Sequence, residues 1–555
     1  MFQHNFLLIY RNFKRFRSSF FINLVGLSAG LACTLLIYLW VTDELSFDKF
    51  HEKDSQLYQV METQQAGDGT LIKYRTSGLV AETLKEEMPE IEYASSVIQS
   101  SWFPKFILSA TEDANLKAVG QFVGKDYFNI FSFGLTQGDE NQVLSDKNAI
   151  VISDELALKL FNTTQNVLGK VISLQLLHIK KQVTVSGIFN RVPANSSEKF
   201  DFLLSFEWFK ELSPAVLEWG NDGTNAYVVV KKGTNLSQLN DKIAGLIKSK
   251  RQGAERALFL KPYSEAYLYG RYENGVQSGG RIEYVKLFSI IAIFILIIAC
   301  INFMNLSTAK ATRRIKEVGI KKAMGAGRKT LIFQYIGESM LMTFLSLALA
   351  ILIVQLLLPQ FNLITGKQLV LSLSVNLILS LLGITFFTGL ISGSYPALYL
   401  SSFNPALVLK GKFRSSVGEL WARKGLVVFQ FAVSVILIVV VLVVYKQIEF
   451  IQSGNLGYNK DNIIYFEREG RLTENGEAFL SELKNVTGIA EASSMWGNII
   501  GGYSTTGMFS GREKNLMKEQ HLKLWVLTMI CLKCLRLKWQ PAVHFPVTLA
   551  RTRQK

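Results

Sequence analysis

The sequence is poor in the residues that build covalent and metal frameworks, with four cysteines and five histidines in 555 residues. Four cysteines are too few for a disulfide scaffold. Cys33 and Cys300 lie inside apolar runs, where a thiol behaves as a small hydrophobe, so they leave the redox compartment unread. His4, His51, His178, His521 and His544 are isolated, with no spacing suited to a metal site, and each reads as a surface or core histidine. A phosphate-binding loop is also missing. GAGRKT (Gly325 to Thr330) has a Lys-Thr pair after glycines, but such a loop needs Gly directly before the Lys and a buried strand ahead of it. Carboxylates are scattered through the long loop from Thr42 to Gly280 without a pairing that sequence reveals, so enzyme chemistry has little support. The formal charge of +16 comes with no stripe of Lys and Arg interleaved with base-stacking aromatics, which argues against nucleic acid.

What the sequence has in abundance is apolar length, with 49% hydrophobic residues. Phe20 to Val41 is an uncharged run of about 22 residues, enough at 1.5 Å per residue to cross a hydrocarbon core roughly 30 Å thick. The run continues into bulky Tyr38, Leu39 and Trp40 instead of a small-residue cleavage site, so it reads as a retained span and not a signal peptide. Four further spans are predicted, at Tyr284–Asn305, Leu331–Leu358, Leu371–Tyr399 and Leu426–Tyr445. The basic residues cluster beside these spans, which makes anionic lipid their expected neighbour.

Loop charge gives the orientation. Arg11, Lys14, Arg15 and Arg17 precede the first span with no acidic residue among them, placing the N-terminus in the cytoplasm. The segment after the second span (Lys310, Arg313, Arg314, Lys316, Lys321, Lys322, Arg328, Lys329) and the one after the fourth (Lys410, Lys412, Arg414, Arg423, Lys424) are basic in the same sense. The connection from Pro359 to Val370 holds only Lys367, as an external loop should. The loop from Thr42 to Gly280, about 240 residues, is then an extracytoplasmic domain large enough for its own core. Its patterns mix α and β. Val80 to Ile91 and Asp154 to Phe161 have helical spacing, the latter with Asp154 suited to an N-cap, while Ala149–Ser153 and Gln182–Phe189 read as strands. The fold class expected is an α-helical membrane protein of about five spans with a mixed α/β extracytoplasmic domain, not a sheet sandwich.

Several phrases carry a family resemblance. DELSFDKFH (Asp43 to His51), VGKDYFNIFSFGLTQGD (Val123 to Asp139), AIVISDELALKLF (Ala149 to Phe161), LGK (Leu168 to Lys170) and VTVSGIFNRVPANSSEKFDFLLS (Val183 to Ser205) together resemble the MacB-type periplasmic core domain, especially the version attached to FtsX-like permeases of Bacteroidetes. Ile301 to Met340 resembles the end of span two, the coupling segment and the start of span three of the same family, and Ser392 to Gly411 resembles the exit of span four. The domain boundaries this implies are a cytoplasmic N-terminus (1–19), TM1 (20–41), a periplasmic core domain (42–283), TM2 (284–305), a coupling segment (306–330), TM3 (331–358), TM4 (371–399), a cytoplasmic loop (400–425), TM5 (426–445) and the start of a second periplasmic domain (446–524).

The coupling segment has a reading of its own. From Ser307 to Met324 there is no proline and one glycine, Gly319, and Ile315, Val318, Ile320 and Ala323 are expected to form an apolar stripe between basic faces of a short amphipathic helix at the membrane surface. Gly325 and Gly327 should end it. A basic loop beside a span is also, more simply, a topology signal. The resemblance implies that this segment docks into a separate nucleotide-binding subunit, with Glu317, Gly319, Lys322, Gly325 and Ala326 at the family-like positions. Asn23, Asn302, Asn305, Glu338 and Gln430 are the polar exceptions within or near spans, serving either helix–helix contact or the headgroup interface.

The resemblance fades at the end. Members of this family continue through a second external domain and three more spans, whereas residues 525–555 do not look like it; back-translating them with plausible codons and shifting the frame gives a reading close to GADYDLFKMLKTEMAAGRTFSRDFGS, which resembles what the family has at this point. A frameshift or truncation is the expectation, and Cys531-Leu-Lys-Cys534 is then not a redox or zinc motif. The resemblance implies the permease subunit of an inner-membrane ABC transporter. It has no nucleotide-binding domain or cofactor of its own and works with a separate ATPase that binds the ATP, as a dimer of permeases, with a periplasmic adaptor or outer-membrane component as a further partner. ATP-driven motion moves the external domains, and an antimicrobial, peptide or lipid-linked substrate is exported. The alternatives are an ATPase-linked sensor or scaffold controlling a periplasmic partner, and an inactive truncated permease.

Overall fold

The computed structural model describes residues 17–66, 69–110, 115–313, 315–372, 374–402, 417–454, 462–467, 472, 475–494, 504–506 and 522–524. The basic loop residues Lys410, Lys412 and Arg414 and the tail from 525 lie outside the described residues. The chain divides into two units, one of 1–49, 267–271 and 279–449 and the other of 50–266, 272–278 and 450–555.

The first unit is helical. Five helices are long and apolar enough to cross a membrane: TM1 (Arg17–Ser46), TM2 (Ile282–Arg313), TM3 (Arg328–Thr365), TM4 (Val375–Ser401) and TM5 (Val417–Ser453). Each is apolar around its whole circumference, so the packing surface is set by residue size more than by amphipathicity. Leu27, Leu31 and Leu35 of TM1 share a core with Ala299 and Phe303 of TM2, Ala350 and Val354 of TM3, and Leu377 and Leu381 of TM4. TM5 has the highest mean hydropathy of the five, and only 6% of its most apolar stretch is buried.

Each helix extends beyond the span read from the sequence at one end or both, and two of the differences have a local cause. TM3 does not stop at Leu358 but continues through Pro359 to Thr365, so the connection to TM4 is shorter than Pro359–Val370. The helix ends at Gly366, whose φ of 65° is left-handed, with its N–H bonded to the Asn362 carbonyl. TM4 begins at Val375 and not Leu371, because Ser374 caps it by accepting from the Leu377 N–H at 3.3 Å.

The second unit is built on a mixed sheet of thirteen strands among the described residues. The main path runs Arg256–Pro262, Leu57–Ala66, Asn225–Val230, Ile91–Ile98, Gly120–Val123, Phe202–Ser205, Ala149–Ser153, Ile179–Phe189, Val171–Leu176, Phe106–Ser109 and Asn115–Ala118. Two neighbouring pairs are parallel, Phe202–Ser205 with Gly120–Val123 and Ile179–Phe189 with Ala149–Ser153. Ala149–Ser153, Phe202–Ser205 and Asn225–Val230 are buried at every residue, the mark of strands covered on both faces. Phe106, Phe122, Phe202 and Trp208 fill one core, Tyr127, Phe131, Phe133, Phe189 and Phe200 a second, and Val60, Leu84, Leu239 and Leu260 a third.

Two local expectations are corrected here. The helix predicted over Val80–Ile91 ends at Glu87, since Met88 precedes Pro89 and is extended (φ −112°, ψ 103°), and Ile91 opens a strand. The helix Asp154–Phe161 is capped by Ser153, whose Oγ accepts from the Leu156 N–H at 3.2 Å; Asp154 is its first residue.

Candidate functional site

The helical segment Ile315–Ala323, between TM2 and TM3, contains Glu317, Gly319 and Lys322, and Gly325 and Ala326 follow it. Val318 is fully buried, packed with Leu331 and Tyr335 of TM3 and Ala397 and Leu400 of TM4. The expected stripe of Ile315, Val318, Ile320 and Ala323 does not form, for Ile320 is 51% exposed and Ala323 is exposed as well. The reason is geometric. At 100° per residue Ile320 points some 200° away from Val318, whereas Lys322, four residues on, returns to the same side. Lys322 accordingly reaches inward and its Nζ donates to the Ser401 carbonyl at the end of TM4, 2.7 Å away. Burial pushes the Lys322 amine down from its ordinary value, and nearby Arg328 does so further.

The other named positions divide between shape and surface. Glu317 pairs with Lys321 (2.9 Å, i to i+4), and Lys321 also reaches the Gln334 side chain of TM3. Gly319 is buried beside Val318. Gly325 takes φ 94°, and the Gly325 and Ala326 N–H groups bond to the Lys322 and Lys321 carbonyls, closing the helix C-terminus. Met324, 77% exposed, and Ile320 leave an apolar edge uncovered on this segment. Val318 and Lys322 therefore fix the helix to the ends of TM3 and TM4, and Ile320 and Met324 on the opposite side are exposed.

A second cluster sits at the other end of TM3. Lys367 lies between Asp43 and Glu44 of TM1, its Nζ 2.7 Å from a carboxylate oxygen of each, and over the Phe47 ring at 4.2 Å. Phe47 stacks on Tyr267 with ring centroids 4.0 Å apart, the Tyr267 hydroxyl donates to Glu44 at 3.3 Å, and Arg281 at the start of TM2 donates to that hydroxyl at 3.2 Å. Burial works against the Lys367 charge, but the hydrogen bonds and charges of Asp43 and Glu44 outweigh it and hold its pKa above the usual lysine value. Sequence reading found Lys367 only as the single basic residue of a short loop. Its acidic partners lie more than 300 positions away, where no local pattern connects them.

The other chemical signals are structural. Gly26-Leu27-Ser28-Ala29-Gly30 has the spacing of a hydrolase nucleophile elbow, which needs a strand-to-helix turn. It lies inside continuous TM1, with the Ser28 hydroxyl donating to the Leu24 carbonyl at 2.6 Å. His51 is buried against Phe50, Phe131, Phe133 and Tyr263 with its Nδ1 accepting from the Ser132 N–H, and His178 sits in the tight turn between two strands. No group of three or more metal-ligating side chains occurs among the described residues. Of the polar span residues, Asn23 is buried, while Asn302, Asn305, Glu338 and Gln430 are half-buried.

Comparison with known proteins places both units. Residues 20–246 match the MacB-like periplasmic core domain, and residues 289–405 match the FtsX-like permease C-terminal domain. The chain is similar to the macrolide export ATP-binding/permease protein MacB of Neisseria gonorrhoeae, 28% identical over 223 residues that make up 40% of this chain and 32% of that protein. The chain thus spans about a third of the length of that relative. Among solved structures, a permease-protein domain from Porphyromonas gingivalis matches at 24% identity and TM-score 0.33, covering 38% of this chain and 93% of its own. The periplasmic region of MacB from Actinobacillus actinomycetemcomitans matches at 16% identity and TM-score 0.28, covering 38% of this chain and 91% of its own. With its core domain and its permease domain matched in the order the family has them, this multi-pass membrane protein belongs to the FtsX/MacB-type ABC transporter permeases.

Proposed function

We propose that the chain is the membrane subunit that turns ATP hydrolysis by a separate ATPase into movement of an extracytoplasmic α/β domain, exporting an antimicrobial, peptide or lipid-linked substrate. The observation that carries this reading is the Ile315–Ala323 helix, pinned through Val318 and Lys322 to the ends of TM3 and TM4 while Ile320 and Met324 stay open. A side chain buried against two spans transmits force to both, and an uncovered apolar edge beside charged residues suits a docked protein. Glu317, Gly319, Lys322, Gly325 and Ala326 are the proposed coupling residues. Glu317 presents its ion pair to the ATPase, and Lys322, Gly325 and Ala326 hold the helix end in place.

The basic residues flanking the spans support an inner-membrane orientation with the N-terminus in the cytoplasm, which puts this helix on the side where ATP is found. The nucleotide belongs to the ATPase, and no cofactor is assigned to this chain. Two permeases around two ATPases, with lipid at the exposed span faces and a periplasmic adaptor or outer-membrane component outside, make up the proposed assembly.

The experiment is purification of the tagged chain from its native membranes, followed by identification of the copurifying ATPase and measurement of hydrolysis in proteoliposomes. The expected result is a stoichiometric ATPase whose turnover drops on Ile320→Asp or Met324→Asp. A chain that copurifies with no ATPase, or one indifferent to both substitutions, refutes the proposal.

A further inference from the structure

The Lys367 cluster lies at the opposite end of TM3 from the coupling helix, and two of its charged members are largely buried. Glu44 is 2% exposed, and the Lys367 side chain is 14% exposed. Removing one member of a buried ion pair leaves the other charge unpaired, so such a site holds a single geometry more firmly than it adds stability. Lys367 has two carboxylates, not one, and an aromatic face beneath it, so rotating it away from Asp43 alone does not release it.

The cluster's place in the chain gives this rigidity a direction. TM3 is one continuous helix of 38 residues, about 57 Å long at 1.5 Å per residue. At its first turns Leu331 and Tyr335 pack on Val318 of the coupling helix, and two residues past its last turn stands Lys367. Asn362 holds the intervening turn, accepting from the Leu369 N–H at 3.0 Å and donating to the Leu369 carbonyl at 2.9 Å. Lys367 then grips Asp43 and Glu44, six or seven residues before the chain leaves the helical unit at Phe50, and through Phe47 it bears on Tyr267, the residue at which the chain comes back.

We propose that Lys367, Asp43 and Glu44 form a strut that stays closed throughout the transport cycle and carries displacement of the Ile315–Ala323 helix along TM3 to the points where the chain leaves for the α/β unit at Phe50 and returns from it at Tyr267. Lys367 is thus a positioning residue, acting through TM1 and not on a substrate. The inference rests on the transporter reading above.

The test uses the full chain with its copurified ATPase in proteoliposomes. Cys33, Cys300, Cys531 and Cys534 are replaced by Ser, and spin labels are placed at exposed Leu168 and Val370. The unsubstituted strut should show an ATP-dependent change in the distance between the labels. Lys367→Ala should lose that change while ATP hydrolysis continues at its former rate, a separation that general misfolding does not produce. A second variant guards against failed assembly. With fluorinated phenylalanines as the reporters in place of spin labels, read by fluorine NMR, Asp43→Cys/Lys367→Cys is bridged by a reducible bis-methanethiosulfonate linker. The ATP-dependent response should be present when the linker is intact and vanish when it is reduced. A response that survives in Lys367→Ala, or that ignores the state of the linker, overturns the strut and leaves the transporter reading standing. An unsubstituted chain that binds no ATPase, or shows no response to ATP, overturns both.

Discussion

A Cβ placed on Gly30 of TM1 would stand 2.6 Å from the Cβ of Ala299 in TM2, closer than any two such atoms approach. The two helices meet there backbone to side chain, and one turn earlier Gly26 faces the Asn302 side chain in the same way. Close approach of this kind is how helices associate in lipid, where apolar burial between spans gains little over contact with acyl chains. Gly30→Val should therefore force TM1 and TM2 apart, costing about 1–3 kcal/mol in line with overpacked cores. Thermal unfolding of the purified chain in detergent is the measurement. Gly30→Ala should be milder, and Ala299→Gly should restore much of its loss; an undiminished midpoint in Gly30→Val contradicts the contact.

Gly325 and Gly327 flank the same turn and should respond differently. Gly325 sits at φ 94°, where any side chain is strained, whereas Gly327 has φ −69°, and a Cβ added there would meet only the Thr330 hydroxyl, 4.0 Å away. Gly325→Ala is expected to cost about 1–2 kcal/mol and to loosen the entry to TM3, whereas Gly327→Ala should cost little. Hydrogen exchange of the Arg328–Leu331 amides distinguishes them, with faster exchange only in Gly325→Ala.

How far the sequence disclosed these features depends on how local their cause is. The five spans are set by composition within each run, and the strand Ala149–Ser153 and the helix after it by adjacent residues, so both were legible. Pro359 misled because a proline in lipid-length helices is tolerated when neighbours re-satisfy the freed carbonyl, and TM3 continues past it. The Val318 face was misread because four apolar residues in nine were counted as one stripe without following their angles. The Lys367 pairing with Asp43 and Glu44 is wholly tertiary, and nothing within either segment signals the other.

His51 should make the α/β unit acid-sensitive. Burial among aromatic rings lowers its pKa from 6.5 to about 4, so the native state holds it neutral while the unfolded chain takes up a proton first. Its contribution to stability is full above pH 6.5 and is lost as pH falls from there through 4, by roughly 3 kcal/mol at most. Tryptophan fluorescence of the full chain under urea, followed from pH 7 to 4, should show that decline. His51→Gln should start less stable, having lost the bond from the Ser132 N–H, and should decline less over the same interval. Equal slopes for both proteins would assign the acid sensitivity elsewhere.

The coupling helix offers a separation between holding and docking. Val318 is fully buried against Leu331, Tyr335, Ala397 and Leu400, so Val318→Ala leaves a gap at the junction of TM3 and TM4 and should cost about 1–3 kcal/mol. Ile320, 51% exposed, touches no such core, and Ile320→Ala should leave the unfolding midpoint where it was. On affinity for the ATPase the order reverses. Ile320→Ala removes apolar surface from the partner's side and should weaken copurification, whereas Val318→Ala keeps the outer face and should still recruit the ATPase while failing to pass its motion on. Val318→Ala then shows ATP hydrolysis without the distance change between labels at Leu168 and Val370. If both substitutions lowered stability and binding in parallel, the helix would be a single packed element with no face reserved for a partner, and the surface assigned to docking would have to lie elsewhere on the chain.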